Sequence, residues 1–371
     1  MVFREMVEDD LHFFLKIRNS VSFEFLHNSK EYTIDECKIW FQSKKDDYYI
    51  IEYDNNNIGY FRTSNLIDNE TIYIGADLDV NYRGKGLGFI CYNLFIPFIV
   101  KKHNLKKINL EVLETNNVAI NLYKKLGFII YKEEPFNKNN IIINNYSMVL
   151  IVENYNINYI VALYFGDRRR FSNYGLNYLT EHVNFLKNNP KHVKKCTFVI
   201  NETEGINKTE IINKIKEITE INVNYIFREN INYSYGAWET GILSDTSLQY
   251  SFLIEDDYLP IKHNFLDYFL TKIDNNTIFV CQQIFENPKQ HAAISNGLFN
   301  NNLITNKTSI FDLNFQNGYN NADSNQLNFL NKFTNTSILK DISDITCNKF
   351  ADLNTIKIYG NTNKPEIIIP I

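Results

Sequence analysis

The sequence predicts an α/β protein of two domains: a mixed-sheet α+β domain over residues 1–152, then a Rossmann-like α/β domain over residues 156–371. Three observations carry this reading. At 371 residues the chain is longer than a single hydrophobic core usually sustains. The first part runs through strands and helices to one glycine-rich loop, Arg83-Gly84-Lys85-Gly86-Leu87-Gly88, that joins an apolar strand to an apolar helix. After the polar stretch Glu153-Asn154-Tyr155-Asn156 a fresh apolar run begins at Ile157, and strands and helices then alternate as they do around a parallel-rich sheet.

In the first domain a short β-run precedes helices near Asp9–Ser20 and Thr33–Ser43, and Thr33-Ile34-Asp35-Glu36 has the form of a capping box. Runs at Tyr48–Tyr53, Asn57–Ser64 and Thr71–Val80 read as strands, followed by the glycine loop and a helix through about Lys102. A strand at Ile108–Leu113, a helix at Asn117–Leu126 and a hairpin turning at Asn137-Lys138-Asn139-Asn140 complete the domain. In the second domain Ile157–Phe165 is almost continuously apolar, which suits a strand covered on both faces. A helix at Tyr174–Lys187, a strand at Thr197–Asn201, a helix at Lys208–Thr219 and a strand at Val223–Arg228 follow.

Composition excludes several classes. Hydrophobic residues at 44%, aromatics at 15% and a net charge of −5 describe a folded, mildly acidic chain. No long basic face is evident, so nucleic acid is not the expected partner. Cys37, Cys91, Cys196, Cys281 and Cys347 show no CxxC spacing and are odd in number, which fits reduced packing thiols in a cytosol. The N-terminus is acidic where a signal peptide would be basic, and no apolar run nears the ~18 residues of a membrane span, so a cytoplasmic enzyme is expected.

The glycines at 84, 86 and 88 lie where a strand meets a helix N-terminus. Without Cβ atoms such a loop can turn its backbone N–H groups inward, and the helix end adds positive potential, so a diphosphate can be held without a metal. A tight turn would use the same residues. Further along comes Leu110-Glu111-Val112-Leu113-Glu114-Thr115-Asn116-Asn117, then Val118-Ala119-Ile120-Asn121-Leu122-Tyr123-Lys124-Lys125-Leu126-Gly127-Phe128. With Asp79-Val80-Asn81-Tyr82 ahead of the glycine loop, these segments resemble the two main motifs of the GNAT acetyltransferase family, in order and at the usual separation, over roughly residues 1–150.

That resemblance implies acetyl-CoA as cofactor. Val80, Arg83, Gly84, Lys85, Gly86, Leu87 and Gly88 would hold the pyrophosphate, and Asn116 the pantetheine arm. Tyr123 would protonate the departing thiolate, a general-acid role that needs a phenol near sulfur; the alternative is a helix aromatic packed on Phe128. The amine must lose a proton to attack, and Asp77, Glu111 and His27 are the candidate bases. The pattern Asp10-Leu11-His12-Phe13-Phe14-Leu15-Lys16-Ile17-Arg18-Asn19, with Trp40-Phe41, is similar to the subgroup acetylating nucleotide-linked amino sugars and also to the ribosomal-protein type.

In the second domain the apolar run Tyr250-Ser251-Phe252-Leu253-Ile254 ends in Glu255-Asp256-Asp257. Adjacent carboxylates at a strand end repel unless a cation compensates, an arrangement that holds Mg²⁺ or Mn²⁺ against a diphosphate; a solvated acidic turn is the plainer alternative. Phe165-Gly166-Asp167-Arg168-Arg169-Arg170 could grip phosphates, and Arg228 with the loop around Gly236 could seat a base or sugar. In layout, residues from about 156 resemble a GT-A-like glycosyltransferase. This implies Glu255 and Asp257 as metal ligands, Arg168, Arg228, Gly236, Glu255 and Asp256 around a nucleotide-sugar, and Asp323 as a candidate base that also reads as a helix N-cap. The expected whole is a bifunctional enzyme of glycan biosynthesis, acetylating an amino sugar and transferring a sugar to a glycan acceptor. The alternative is a peptide N-acetyltransferase with a non-catalytic carbohydrate-binding or partner-binding second domain.

Overall fold

The structure, a computed structural model of the 371-residue chain, describes residues 1–22, 24–43, 47–64, 66–166, 175–256, 258–260, 263–273, 277–281, 296–304, 310–311, 338–341 and 356–358. The chain divides into two compact units, Met1–Glu153 and Asn154–Ile371.

The first unit opens with β1 (Val2–Glu5), a 3₁₀ turn, α1 (Leu11–Ser22) and α2 (Ile34–Ser43). The capping box at α2 forms as read: Thr33 N–H donates to Glu36 Oε2 at 2.8 Å, and Glu36 N–H donates to Thr33 Oγ1 at 3.3 Å. Strands β2 (Asp47–Tyr53), β3 (Asn56–Thr63) and β4 (Thr71–Leu78) precede α3 (Leu87–His103), β5 (Lys107–Leu113) and α4 (Asn117–Lys125). A hairpin of β6 (Ile129–Lys138) and β7 (Ile141–Ile151) ends the unit, with Asn139 and Asn140 both at positive φ, as a two-residue hairpin turn requires.

These strands make one sheet in the order β1-β2-β3-β4-β5-β7-β6, covered on both faces. Alternation along β2 sorts its side chains. Tyr48 and Ile50 join Leu11, Phe14 and Cys37 under α1 and α2, whereas Tyr49 and Ile51 join Phe61, Ile74 and Phe95 under α3. All strand pairs are antiparallel except β4 with β5, which run parallel. That pairing covers only Thr71–Tyr73 against Lys107–Asn109, although β4 continues to Leu78 and β5 to Leu113. The sheet therefore splits at its centre.

The strand expected to reach Val80 stops at Leu78, because the Asp79 side chain accepts from Asn81 N–H at 3.0 Å and starts a 3₁₀ turn over Val80–Tyr82. The helix expected to run to Leu126 ends at Lys125, with Leu126 as its C-cap.

The second unit begins with β8 (Ile157–Tyr164), α5 (Gly175–Lys187), β9 (Val193–Glu202), α6 (Lys208–Ile215), β10 (Asn222–Glu229), α7 (Tyr233–Leu243) and β11 (Tyr250–Glu255). Helix α6 is a turn shorter than its sequence pattern, capped at Lys216. Then come β12 (Tyr258–Pro260), α8 (Phe265–Leu270), β13 (Thr277–Cys281), β14 (Asn296–Asn300), β15 (Ile338–Asp341) and β16 (Ile356–Ile358). The main sheet is ordered β10-β9-β8-β11-β14-β13-β15. Its first four strands are mutually parallel, and β14 is antiparallel to both neighbours. β8 is apolar but for Asn158, which accepts from Thr197 Oγ1 at 3.0 Å, because both its faces are covered: Tyr159 meets Phe252 and Phe265 on one side, and Ile160 packs with Trp238 on the other.

Cys37, Cys91 and Cys196 are buried free thiols. No helix among the described residues is long and apolar enough to cross a membrane.

Candidate active site

Five of the residues singled out from the sequence, Asp77, Glu111, Asn116, Tyr123 and His27, line one cavity of about 420 Å³ in the first unit. The split sheet creates it, since Ile74–Asp77 of β4 and Glu111 and Val112 of β5 lie beyond the last paired residues and face the cavity. Its other walls come from α1, α2 and the segment between them, from β2 and β3, and from α4 with its N-cap.

Tyr123 is buried at 8% exposure, and its hydroxyl accepts from the buried Tyr92 O–H at 3.3 Å. Burial pushes its phenol up to about 12, so it stays protonated at neutral pH. Its ring also packs on Phe128, with centroids 5.9 Å apart. The half-buried Asp77 carboxylate accepts from Tyr60 O–H at 2.9 Å. Burial raises its pKa above the ordinary aspartate value, and the Tyr60 hydrogen bond together with Arg62, Arg83 and Arg18 opposes that rise. Glu111 lies 4.0 Å from His27 Nε2, and that nitrogen is 2.8 Å from Asn145 Oδ1. Asn116 is the N-cap of α4, its Oδ1 accepting from Ala119 N–H at 3.2 Å.

The glycine loop is separate from the cavity lining, and α4 joins the two. Gly84 and Gly86 have φ of +71° and +75°, left-handed values that favour glycine, and a Cβ at either would meet nothing within 4 Å. Gly88 serves spacing instead, because its Cβ would approach Leu122 of α4 to 3.3 Å. On the same helix Tyr123, Ala119 and Asn116 face the cavity. Gly86 is the N-cap of α3, whose first-turn N–H groups have no acceptor within the helix and open toward the exposed loop. Arg83 does not extend freely: its Nε donates to Leu78 O at 2.8 Å, tying the loop to the end of β4. Lys85 and Val80 are exposed.

Residues 14–128 match the acetyltransferase (GNAT) family. Over 60 residues the chain is 37% identical to the spermine/spermidine N(1)-acetyltransferase of Bacillus subtilis (strain 168), a stretch covering 16% of this chain and 40% of that protein. It thus spans less than half the length of that curated relative. Among solved structures, the ribosomal-protein-alanine N-acetyltransferase from Brucella melitensis aligns with 41% of this chain and 100% of its own, at 17% identity and a TM-score of 0.37. The structure of yncA from Salmonella typhimurium with its cofactor acetyl-CoA aligns with 41% of this chain and 94% of its own, at 17% identity and a TM-score of 0.37.

The first unit offers two features that fit acetyl-CoA: a loop at Gly84–Gly88 with left-handed glycines leading into a helix N-terminus, and the separation of β4 from β5 beyond Tyr73 and Asn109. Sequence reasoning missed Tyr60, Tyr92 and Arg62. The signal available for Arg62 was a charge inside the strand run Gly59-Tyr60-Phe61-Arg62-Thr63, but the two tyrosines read as ordinary apolar positions.

In the second unit β8 and β11 are neighbours from which the chain leaves in different directions, a switch point of the kind at which α/β sheets bind ligands. Asp256 sits there at 2% exposure, its carboxylate accepting from Tyr164 N–H at 2.9 Å and its carbonyl lying 3.1 Å from His182 Nε2. Its visible work is bracing two strands, not presenting oxygens to a ligand. Glu255 accepts from Ser234 Oγ. The Arg228 guanidinium is held by Asn201 Oδ1 at 2.6 Å and Ile231 O at 2.8 Å, and Gly236 is packed so that a Cβ would meet Ile231 O. Arg168, Asp257 and Asp323 lie outside the described residues. Among the described residues no group of three His, Cys, Asp or Glu side chains is placed to hold a metal ion.

Proposed function

We propose that the first unit transfers the acetyl group of acetyl-CoA to a primary amine, with Tyr123 as general acid and Asp77 as general base. The observation that carries this is the meeting of Tyr123, Asn116 and Asp77 in one cavity at the mouth of the split between β4 and β5. Bound acetyl-CoA supplies the activated thioester. The loop Arg83–Gly88 holds the pyrophosphate on its backbone N–H groups, with Lys85 adding charge at the rim. Asn116 spends Oδ1 on its cap, so its contact to the arm comes through Nδ2. Asp77 takes a proton from the attacking amine, and Tyr123 gives one to the departing sulfur. Glu111 and His27 line the amine's approach rather than the reacting end.

The amine belongs to an amino sugar, most simply one carried on a nucleotide. The half-buried Trp40 on the cavity wall suits a sugar ring, and Arg18 and Arg62 suit an anionic tail. A polyamine is the second reading, favoured by the similarity to the spermine/spermidine enzyme; its several positive charges would meet those two guanidinium groups. Acetyl uptake from labelled acetyl-CoA by nucleotide-linked amino sugars, spermine and peptide amines tests this. Preference for spermine or peptide would overturn the sugar assignment.

For the second unit the reading is glycosyl transfer from a nucleotide-sugar to a glycan acceptor. The parallel order β10-β9-β8-β11 and an acidic strand end at the switch point support it. Glu255 is the donor a divalent ion would use among the described residues, with Asp257 as the expected second ligand.

A further inference from the structure

Tyr60 and Asp77 stand directly opposite each other across β3 and β4, and the phenol is clamped where it is. Tyr60 is 4% exposed, with Phe14 at 4.7 Å between ring centroids, Phe14 stacked in turn on Trp40 at 5.2 Å, and Tyr48 at 6.2 Å. Its hydroxyl donates to Asp77 Oδ2 at 2.9 Å. We propose, resting on the acetyl-transfer reading, that Tyr60 is the positioning residue of the catalytic base: it occupies Oδ2 of Asp77 and so presents Oδ1 to the incoming amine.

The step balances. As the nitrogen–carbon bond forms and the carbon–sulfur bond breaks, the amine's N–H proton passes to Asp77 Oδ1 and the Tyr123 proton passes to sulfur. Asp77 is then a carboxylic acid and Tyr123 a phenolate, and one proton returns through solvent to reset both. A phenol bonded to the ionised carboxylate stabilises the form that accepts the proton. It thereby opposes the burial that raises the Asp77 pKa above the ordinary aspartate value. Arg62 on β3, Arg18 on α1, Arg83 in the glycine loop, and the phenols of Tyr92 on α3 and Tyr123 on α4 also act on Asp77. Among the described residues Tyr60 is the group hydrogen-bonded to it.

The test is a carboxyl ¹³C NMR titration of the full chain labelled at aspartate, with the Asp77 resonance identified by its loss in Asp77→Asn. Tyr60→Phe should move the Asp77 midpoint up by about one pH unit, the tenfold change expected for losing one hydrogen bond to a charged group. Tyr60→3-fluorotyrosine, a stronger donor of the same shape, should move it down, and this variant decides the matter if Tyr60→Phe does not fold. Midpoints that superimpose on the wild type overturn the inference while leaving acetyl transfer intact. Undiminished acetyl transfer by Tyr123→Phe or Asp77→Asn would instead overturn the reading beneath it.

Discussion

At the scale of single residues, Tyr123 combines a buried phenol, a cavity-facing position and a donor behind it. Tyr92 O–H donates a hydrogen bond to the Tyr123 oxygen, so the Tyr123 proton is directed elsewhere, and in the proposed transfer the same bond would steady the phenolate left behind. Tyr123→Phe should lower kcat by about 10²-fold or more while leaving acetyl-CoA affinity unchanged, as loss of a general acid does; steady-state kinetics beside calorimetry separate the two. His182 offers a second residue-scale test, in the other unit. It is wholly buried between Tyr159 OH at 3.0 Å and Asp256 O, and burial lowers its pKa from an ordinary 6.5 to about 4. A folded-state pKa below the unfolded one means that the unfolded chain binds the extra proton. Stability should therefore be fully present above pH 6.5 and fall as pH drops toward 4, by on the order of 3 kcal/mol in total. Denaturant midpoints followed by Trp238 between pH 7 and 5 should show the fall, and His182→Gln should flatten it. Tyr123 was legible in the sequence because a motif surrounded it. Tyr60, Tyr92 and His182 were not, because a strand or helix position that buries an aromatic ring looks the same whether or not its polar tip has a partner across the sheet.

At the scale of elements, the three glycines of the loop are not equivalent. Gly84 and Gly86 are favoured by backbone conformation, and Gly88 by the close approach of Leu122 on α4. Gly86→Ala forces an L residue to φ near +75°, at about 1–2 kcal/mol. If the loop relaxes to avoid that strain, its N–H groups turn from the anion, and acetyl-CoA affinity should drop about tenfold by calorimetry. Equal affinity would mean that the loop does not bind the pyrophosphate. The loop was legible because glycine spacing at a strand-to-helix junction is a local signal. The split between β4 and β5 was not, because alternation reports which face a residue takes and says nothing about where a neighbouring strand departs. The end of β4 was misread for a related reason: Val80 continues the apolar pattern, but Asp79 diverts the backbone into a turn.

At the scale of the molecule, polarity at Glu153–Asn156 and the fresh apolar run at Ile157 led to an expected boundary there, and the chain has compact units Met1–Glu153 and Asn154–Ile371. The order of strands in the second unit was beyond reach, since each parallel strand is equally apolar and nothing local names its neighbour. The acidic strand end also changed meaning. Asp256, read as a ligand-facing carboxylate, is an internal brace, which leaves Glu255 to carry the switch-point assignment. Glu255→Ala should abolish any nucleotide-sugar hydrolysis by the full chain while sparing acetyl transfer, and loss of both would argue for one shared chemistry. The claim on which everything else stands is that the first unit binds acetyl-CoA through the loop Arg83–Gly88. Calorimetric titration of the full chain with acetyl-CoA should show one saturable site, lost or weakened more than tenfold in Gly86→Trp; no binding, or binding indifferent to that substitution, would contradict it.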